Sequence, residues 1–211
     1  MTFYEHAMLG ATLALAAGLQ SRHGWGIVAM AAVAAVLPDW DGLTIVFGAT
    51  AYDRSHRIWG HNLMTAGMLG ALTGAAEYFC NLIGRLGRVI GGLLTSPASG
   101  SAVVPAEPIP FSFCDCAVWG LVGSLASLSH LAVDLIYSGH PRMSDWPLRL
   151  FWPFSDRGWA YPVVPWGDVG ATMIFIAEMF ALSRWRSRAS RIGLLALAAL
   201  AVYIAVRLAV R

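Results

Sequence analysis

His130 and Asp134 lie four residues apart in an otherwise apolar stretch, and both are common metal ligands. On a helix this spacing puts the two side chains on one face, one turn apart. Ionisable residues inside apolar membrane helices are costly and usually serve a function. The same pair could instead form a hydrogen bond that locks two helices together, so this motif alone leaves metal binding and helix locking open.

Two carboxylates, Asp39 and Asp41, follow a predicted helix in the sequence Leu-Pro-Asp-Trp-Asp, residues 37–41. The C-terminal end of a helix already carries a partial negative charge, which disfavours carboxylates there. A nearby cation would offset both this dipole and the repulsion between the two aspartates. By themselves, however, the aspartates are better explained by a solvated Asx turn.

Two imidazoles, His56 and His61, are five residues apart around a predicted helix start. They could bind different ions, or one could be a ligand and the other its support. Arg54 and Arg57 carry planar guanidinium groups that suit phosphate binding, and the alternative for both is an interfacial anchor. His6 is a single histidine near the start of the first predicted helix, and alone it is more typical of a structural residue.

The composition indicates a membrane protein. Of the 211 residues, 57% are hydrophobic and 12% are charged, with a mean hydropathy of +0.62. Soluble domains usually contain about 25% charged residues, and a membrane span needs roughly 20 apolar residues. The sequence therefore predicts an all-α integral membrane bundle of about six helices, four to six of them spanning, in a single domain over residues 1–211. No basic run is interleaved with aromatic residues, so no nucleic-acid partner is expected.

Helices are predicted where apolar blocks run between turn residues. Their approximate limits are 5–20, 25–37, 56–83, 114–137, 168–184 and 192–209. A connector at 39–54 contains an apolar patch too short to span. Residues 95–110 are small, polar and Pro-rich, which is typical of a flexible loop. Residues 138–167 form a second loop, rich in Trp and Pro, that is expected at the membrane interface.

If each predicted helix crosses once, four ligand-bearing positions fall on the same side of the membrane. They are the start of the first helix, the end of the second, the start of the third and the end of the fourth. Scattered polar residues would have been divided between the two sides. Six of the nine tryptophans also fall on this side, which suits an interfacial aromatic belt. His23 falls on the opposite side and is assigned no role.

This convergence favours metal binding over the separate structural explanations. Four imidazoles and three carboxylates form the predicted ligand set: His6, Asp39, Asp41, His56, His61, His130 and Asp134. Nitrogen and oxygen ligands without a thiolate suit Zn²⁺, Mn²⁺ or Fe²⁺ better than Ca²⁺ or Mg²⁺, which prefer oxygen alone. Seven ligands are too many for one tetrahedral ion and fit two or three.

The order of these motifs resembles the membrane-bound metal-dependent hydrolases of the YdjM/YbcI type. That family carries an early His, then L-P-D-x-D, H-R-x-x-x-H, S-H-x-x-x-D and W-P-F elements. The matching positions here are His6 and residues 37–41, 56–61, 129–134 and 152–154. The resemblance covers about residues 5–155. One departure is Asn62, which follows the second His where a small hydroxyl residue is expected.

The resemblance implies a membrane-embedded, metal-dependent hydrolase. The family's ligand set is also similar to that of zinc-dependent phospholipase C and P1-type nucleases, which bind three metals through His and Asp and cleave phosphoesters. By this analogy we expect a phospholipase-like phosphoesterase with two or three ions, Zn²⁺ first and Mn²⁺ or Fe²⁺ as alternatives. The substrate would be a lipid or lipid-linked phosphate at the membrane surface. Arg54 and Arg57 would bind its phosphate, and Asp39 or Asp41 would act as general base.

Two other functions remain open, a divalent-metal transporter and a non-catalytic scaffold stapled by metal. A transporter needs a polar path to both faces, and the last two predicted helices supply none. The localisation expected is a bacterial inner membrane. The dense arginine cluster at 184–191 joins two predicted spans, so the positive-inside rule places it in the cytoplasm and the metal site on the extracytoplasmic face.

Overall fold

The computed structural model describes residues 1–94, 111–138 and 146–210. In these ranges every regular element is a helix, apart from an isolated bridge between Leu148 and Trp159. The α-helices are α1 (Phe3–Ala16), α2 (Leu19–His23), α3 (Trp25–Val36), α4 (Ala49–Ser55), α5 (Leu63–Cys80), α6 (Leu82–Leu94), α7 (Phe113–Ile136), α8 (Gly170–Arg184) and α9 (Ala189–Ala209). The 3₁₀ helices are Leu37–Phe47 and Arg186–Arg188. The all-α prediction is confirmed. The predicted loop at 95–110, and residues 139–145 of the second loop, lie outside the described residues.

The six predicted helices correspond to α1, α3, α5, α7, α8 and α9. The start predicted for the third helix was wrong, because α5 begins at Leu63 rather than near His56. Asn62 caps it by accepting a hydrogen bond from the backbone N–H of Thr65 at 2.8 Å, as Asn commonly does at helix N-termini. Both motif histidines therefore lie before the helix, in the turn that leads into it.

The connector predicted after Pro38 is more regular than expected. The chain continues from α3 into the 3₁₀ helix Leu37–Phe47 and then, after Gly48, into α4. Pro38 lies in the first turn of that 3₁₀ helix, the part of a helix in which proline is best tolerated. Asp39 and Asp41 are thus held on an ordered segment.

Three helical stretches of the described chain are long and apolar enough to cross a membrane. They are Trp25–Phe47, Phe113–Ile136 and Arg186–Ala209. Large apolar side chains such as Leu72, Leu195 and Val202 are more than half exposed, as expected of surfaces that face lipid rather than water. The protein is a helical membrane bundle, and the predicted total of four to six spans remains a prediction.

Small residues bring the helices of the bundle close together. A Cβ on Gly70 of α5 would overlap the carbonyl oxygen of Gly123 of α7, and one on Gly74 would overlap the carbonyl oxygen of Trp119. A Cβ on Gly10 of α1 would likewise overlap a backbone carbonyl of α3. Such small-residue contacts are how membrane helices approach closely in the absence of a hydrophobic driving force between them. Helices α8 and α9 pack on the other side of α1.

Candidate metal centre

Helix α1 delivers His6 to the interior of the bundle. The helix is fixed at its start by the Glu5 carboxylate, which accepts a hydrogen bond from the backbone N–H of Thr2 at 2.7 Å. The His6 ring is 1% exposed, and its Nε2 lies 3.1 Å from Oδ1 of Asp134. It also stacks on the ring of His130, with 3.5 Å between the centroids. The lone histidine of the first helix therefore belongs to the same cluster as the α7 pair.

Helix α7 supplies His130 and Asp134 one turn apart, as the sequence predicted. Nδ1 of His130 lies 2.7 Å from the carbonyl oxygen of Ala35 on α3. Because a carbonyl can only accept, Nδ1 carries the proton and the Nε2 of a neutral ring is left with a lone pair. A histidine held in this way by a carbonyl is the usual arrangement of a metal ligand, since it fixes both tautomer and ring orientation.

The aspartates of the 3₁₀ helix meet the two histidines that precede α5. Oδ1 of Asp41 lies 2.9 Å from Nδ1 of His56, and its Oδ2 lies 3.1 Å from Nδ1 of His61. The backbone N–H of Gly60 donates to the same Oδ2 at 2.8 Å. A Cβ on Gly60 would overlap the carbonyl oxygen of Pro38, so only glycine allows the turn to lie this close to the 3₁₀ helix.

Arg57 is drawn into the same cluster. Its backbone has φ of 63°, a left-handed conformation that non-glycine residues rarely adopt and that often marks functional sites. The guanidinium is buried, with Nη2 3.1 Å from Oδ2 of Asp134 and Nη1 donating to the carbonyl oxygen of Trp146 at 2.8 Å. The amino group of Met1 also lies 3.1 Å from Oδ1 of Asp134. Asp134 thus has cationic partners on both oxygens.

The seven predicted ligands form three groups, each of which could hold a metal ion. Within each group one ligand atom per residue lies within 4.8 Å of the others. The groups are His6, His130 and Asp134; Asp39, His61 and His130; and Asp41, His56 and His61. His61 and His130 each belong to two groups, so the three groups share imidazoles and form one continuous cluster. The structure brings all seven predicted ligands together.

The lone pairs of the middle group face one another. His61 donates its Nδ1 proton to Asp41, so the Nε2 of a neutral His61 ring is an acceptor, like that of His130. These two Nε2 atoms are 3.2 Å apart, and Oδ1 of Asp39 lies 3.4 Å and 3.6 Å from them. Three acceptors in mutual contact repel one another unless a cation lies between them. The donor set and its geometry therefore fit a divalent metal ion.

The pKa of His61 also indicates that this site favours a positive charge. Burial disfavours its charged form, but hydrogen bonds with Asp39 and Asp41 and the nearby carboxylate charges outweigh burial and raise the pKa of His61 to about 9. The surroundings of this ring stabilise a positive charge, whether a proton or a metal ion supplies it.

Sequence analysis did not predict that two aromatic residues, Tyr52 and Trp146, lie beside the cluster. The Tyr52 ring stacks on His56 with centroids 4.5 Å apart, and Trp146 lies 5.1 Å from His56 and 4.9 Å from the Arg57 guanidinium. Tyr52 precedes His56 by four residues, one helical turn, which is a signal the spacing contained. Arg54, the second predicted phosphate ligand, is an exposed side chain on α4.

Comparison with known proteins identifies the family. The model of the family described as YdjM inner membrane protein matches residues 1–211, so the chain belongs to that family. No curated protein and no solved structure matched it. Family membership and the apolar helices together support an integral protein of the inner membrane.

Proposed function

For this member of the YdjM inner membrane protein family, we propose that the chain is a metal-dependent hydrolase that cleaves a phosphoester of a lipid or lipid-linked substrate. The observation that carries the proposal is the sharing of His61 and His130 between ligand groups. A neutral imidazole has one lone pair and binds one ion at a time, so each shared ring serves one group at once. The two groups that share no residue could still hold two ions as close neighbours. A single structural ion is normally enclosed by four protein ligands of its own. Closely spaced ions are typical of enzymes that act on phosphoesters.

The ligand chemistry supports two or three first-row ions, Zn²⁺ first and Mn²⁺ or Fe²⁺ as alternatives. When bound, such ions lower the pKa of a coordinated water toward about 7 and stabilise charge on the attacking and leaving oxygens of a phosphoryl group. The residues of the chain must then position the substrate and move one proton.

Asp39 is better suited than Asp41 to the role of general base. Asp41 is fully buried and already receives three hydrogen bonds, from His56, His61 and the backbone of Gly60. The side chain of Asp39 is 25% exposed, so it can contact a substrate or a water at the edge of the cluster. A general base must lie within hydrogen-bond reach of the proton it removes.

Arg57 is the favoured phosphate-binding residue. Its Nη atoms hold Asp134 and the Trp146 carbonyl, while its buried Nε has no hydrogen-bond partner among the described residues. A buried donor without a partner is costly, and a phosphate oxygen would satisfy it. Arg54, exposed one turn before the cluster, would add a second, weaker contact at the rim.

Purified protein in detergent should test this function directly. It should hydrolyse at least one member of a panel of lipid phosphoesters, lose that activity on chelation and regain it when Zn²⁺ or Mn²⁺ is added back. Hydrolysis that survives complete metal removal would contradict the mechanism. Bound metal with no hydrolysis across the panel would favour the transporter or the scaffold instead.

A further inference from the structure

An apolar groove runs along the outside of the bundle between α1 and α3. Its walls include Phe3 and Ala7 on α1, Val33 on α3, and Trp40 and Leu43 on the 3₁₀ helix, and its volume is about 490 Å³. Asp39 is the single charged residue among the described residues that line it. The groove therefore combines a long hydrocarbon surface with one member of the metal cluster.

The groove reaches the cluster at its most accessible ligand. The side chain of Asp39 is 25% exposed and that of His56 is 11% exposed, whereas those of the other ligands are 3% exposed or less. Among the described residues, Asp39 is therefore the predicted ligand that an approaching molecule contacts first. Because Asp39 also lines the groove, the same molecule can occupy both.

The groove is placed to receive a chain from the bilayer. Its α3 wall belongs to the stretch Trp25–Phe47, which is long and apolar enough to span. From Asp39 the lining extends back to Ala32, roughly 10 Å at 1.5 Å per residue. Val33, Phe3 and Leu43 are 47%, 65% and 70% exposed, so the groove is open along its length.

We propose that this groove binds the hydrocarbon chain of the substrate, with the phosphate beside Asp39 and the metal cluster. The inference rests on the proposed function and specifies its substrate class as a lipid phosphate whose chain enters sideways from the bilayer. A water-soluble phosphoester has no group that would cover this apolar surface. Each methylene that is buried in the groove increases binding, so affinity should follow chain length.

A homologous series of alkyl phosphates, from ethyl to hexadecyl, tests the proposal kinetically. kcat/KM should rise by up to about fourfold for each methylene that enters the groove, and then level off. Val33→Trp fills the groove and should reduce the ratio of long-chain to short-chain kcat/KM. The matched control is Val202→Trp on the lipid-facing side of α9, which should keep the wild-type ratio. A chain-length dependence that is flat, or equal in Val33→Trp and wild type, would overturn the proposal.

Photo-crosslinking separates this inference from the hydrolase assignment. An alkyl phosphate with a diazirine near the end of its chain should label the peptides that contain Ala7 and residues 32–36, and Val33→Trp should lower the yield. Labelling spread evenly over exposed α9 residues would reject the groove even if hydrolysis is observed. Labelling of the groove in a protein that hydrolyses no phosphoester would support the groove and reject the proposed function.

Discussion

Helix α1 faces two regions in which acidic side chains are buried, and the two regions differ in their partners. On one side His6 enters the metal cluster, where imidazoles and carboxylates meet. On the other side, against α8, Glu5 accepts a hydrogen bond from the Thr172 hydroxyl at 2.6 Å, and Glu178 accepts one from the Thr12 hydroxyl at 2.6 Å. Each glutamate therefore has a hydroxyl donor on one oxygen, and neither belongs to a group of possible metal ligands among the described residues, although Oε1 of Glu178 has no partner among those residues.

The difference shows which feature of a buried carboxylate indicates a metal. Burial alone is common to both regions, since Glu5, Glu178 and Asp134 are each 3% exposed or less. At the α1–α8 interface each of these hydrogen bonds joins a hydroxyl donor to an acceptor. In the cluster, by contrast, Nε2 of a neutral His61, Nε2 of His130 and Oδ1 of Asp39 are acceptors in mutual contact. Acceptors that face one another need a positive charge between them, which a proton or a metal ion can supply.

The largest expected effect comes from His61→Ala, because His61 belongs to two of the three ligand groups. Loss of both groups should reduce phosphoester hydrolysis by at least about 100-fold, the upper range found when even supporting residues of metal sites are removed. The matched control is His23→Ala at the end of α2, which is outside all three groups and should keep wild-type activity. Equal activity in the two variants would remove His61 from the site.

Arg57→Lys should have a smaller effect that is confined to catalysis. Lysine keeps the positive charge but cannot form the guanidinium's fork of hydrogen bonds. The fall in kcat/KM should correspond to a loss of roughly 1.5–3 kcal/mol of transition-state stabilisation, the typical contribution of a hydrogen bond to a charged group. The bound metal should be unchanged. Full activity in Arg57→Lys would exclude it from phosphate binding, and a parallel loss of metal would show that it acts by holding Asp134.

The smallest effect is expected at the α1–α8 interface. Thr12→Val removes the hydroxyl that donates to Glu178 and leaves a buried carboxyl without that partner. Interhelical hydrogen bonds in membrane proteins contribute on average about 0.6 kcal/mol and at most about 1.7 kcal/mol. The melting temperature in detergent should therefore fall slightly, with metal content and kcat/KM as in wild type. A loss of metal in this variant would mean that the two regions are not independent.

The alternation of helix ends was enough to predict that the ligands converge. It located His6, which has no motif of its own, because the start of the first helix and the end of the fourth fall on one side. The local backbone could not be predicted in the same way. His56 and His61 lie in a turn rather than a helix because Asn62 caps α5 and Arg57 adopts a left-handed conformation. The cap is a local hydrogen bond to Thr65, whereas the side chain of Arg57 contacts Asp134 and Trp146, which are distant in the chain.

The tautomers of the histidines in the cluster could not be predicted from the sequence either. The acceptor that fixes the tautomer of His130 is the backbone carbonyl of Ala35, which no side-chain pattern reveals. Likewise, Arg54 and Arg57 have the same chemistry and similar positions in the chain, yet only Arg57 contacts a ligand. Burial and backbone conformation, rather than residue type, distinguish the two.

Metal content per chain is the most direct test of the cluster, measured by elemental analysis of detergent-purified wild type, Asp134→Asn and Glu178→Gln. Wild type should carry at least two first-row ions, because three ligand groups are assembled. Asp134→Asn should carry fewer, and Glu178→Gln, a matched change of a buried carboxylate, should carry the wild-type number. A wild-type protein that hydrolyses its substrate without bound metal, or equal metal content in the two variants, would contradict the account.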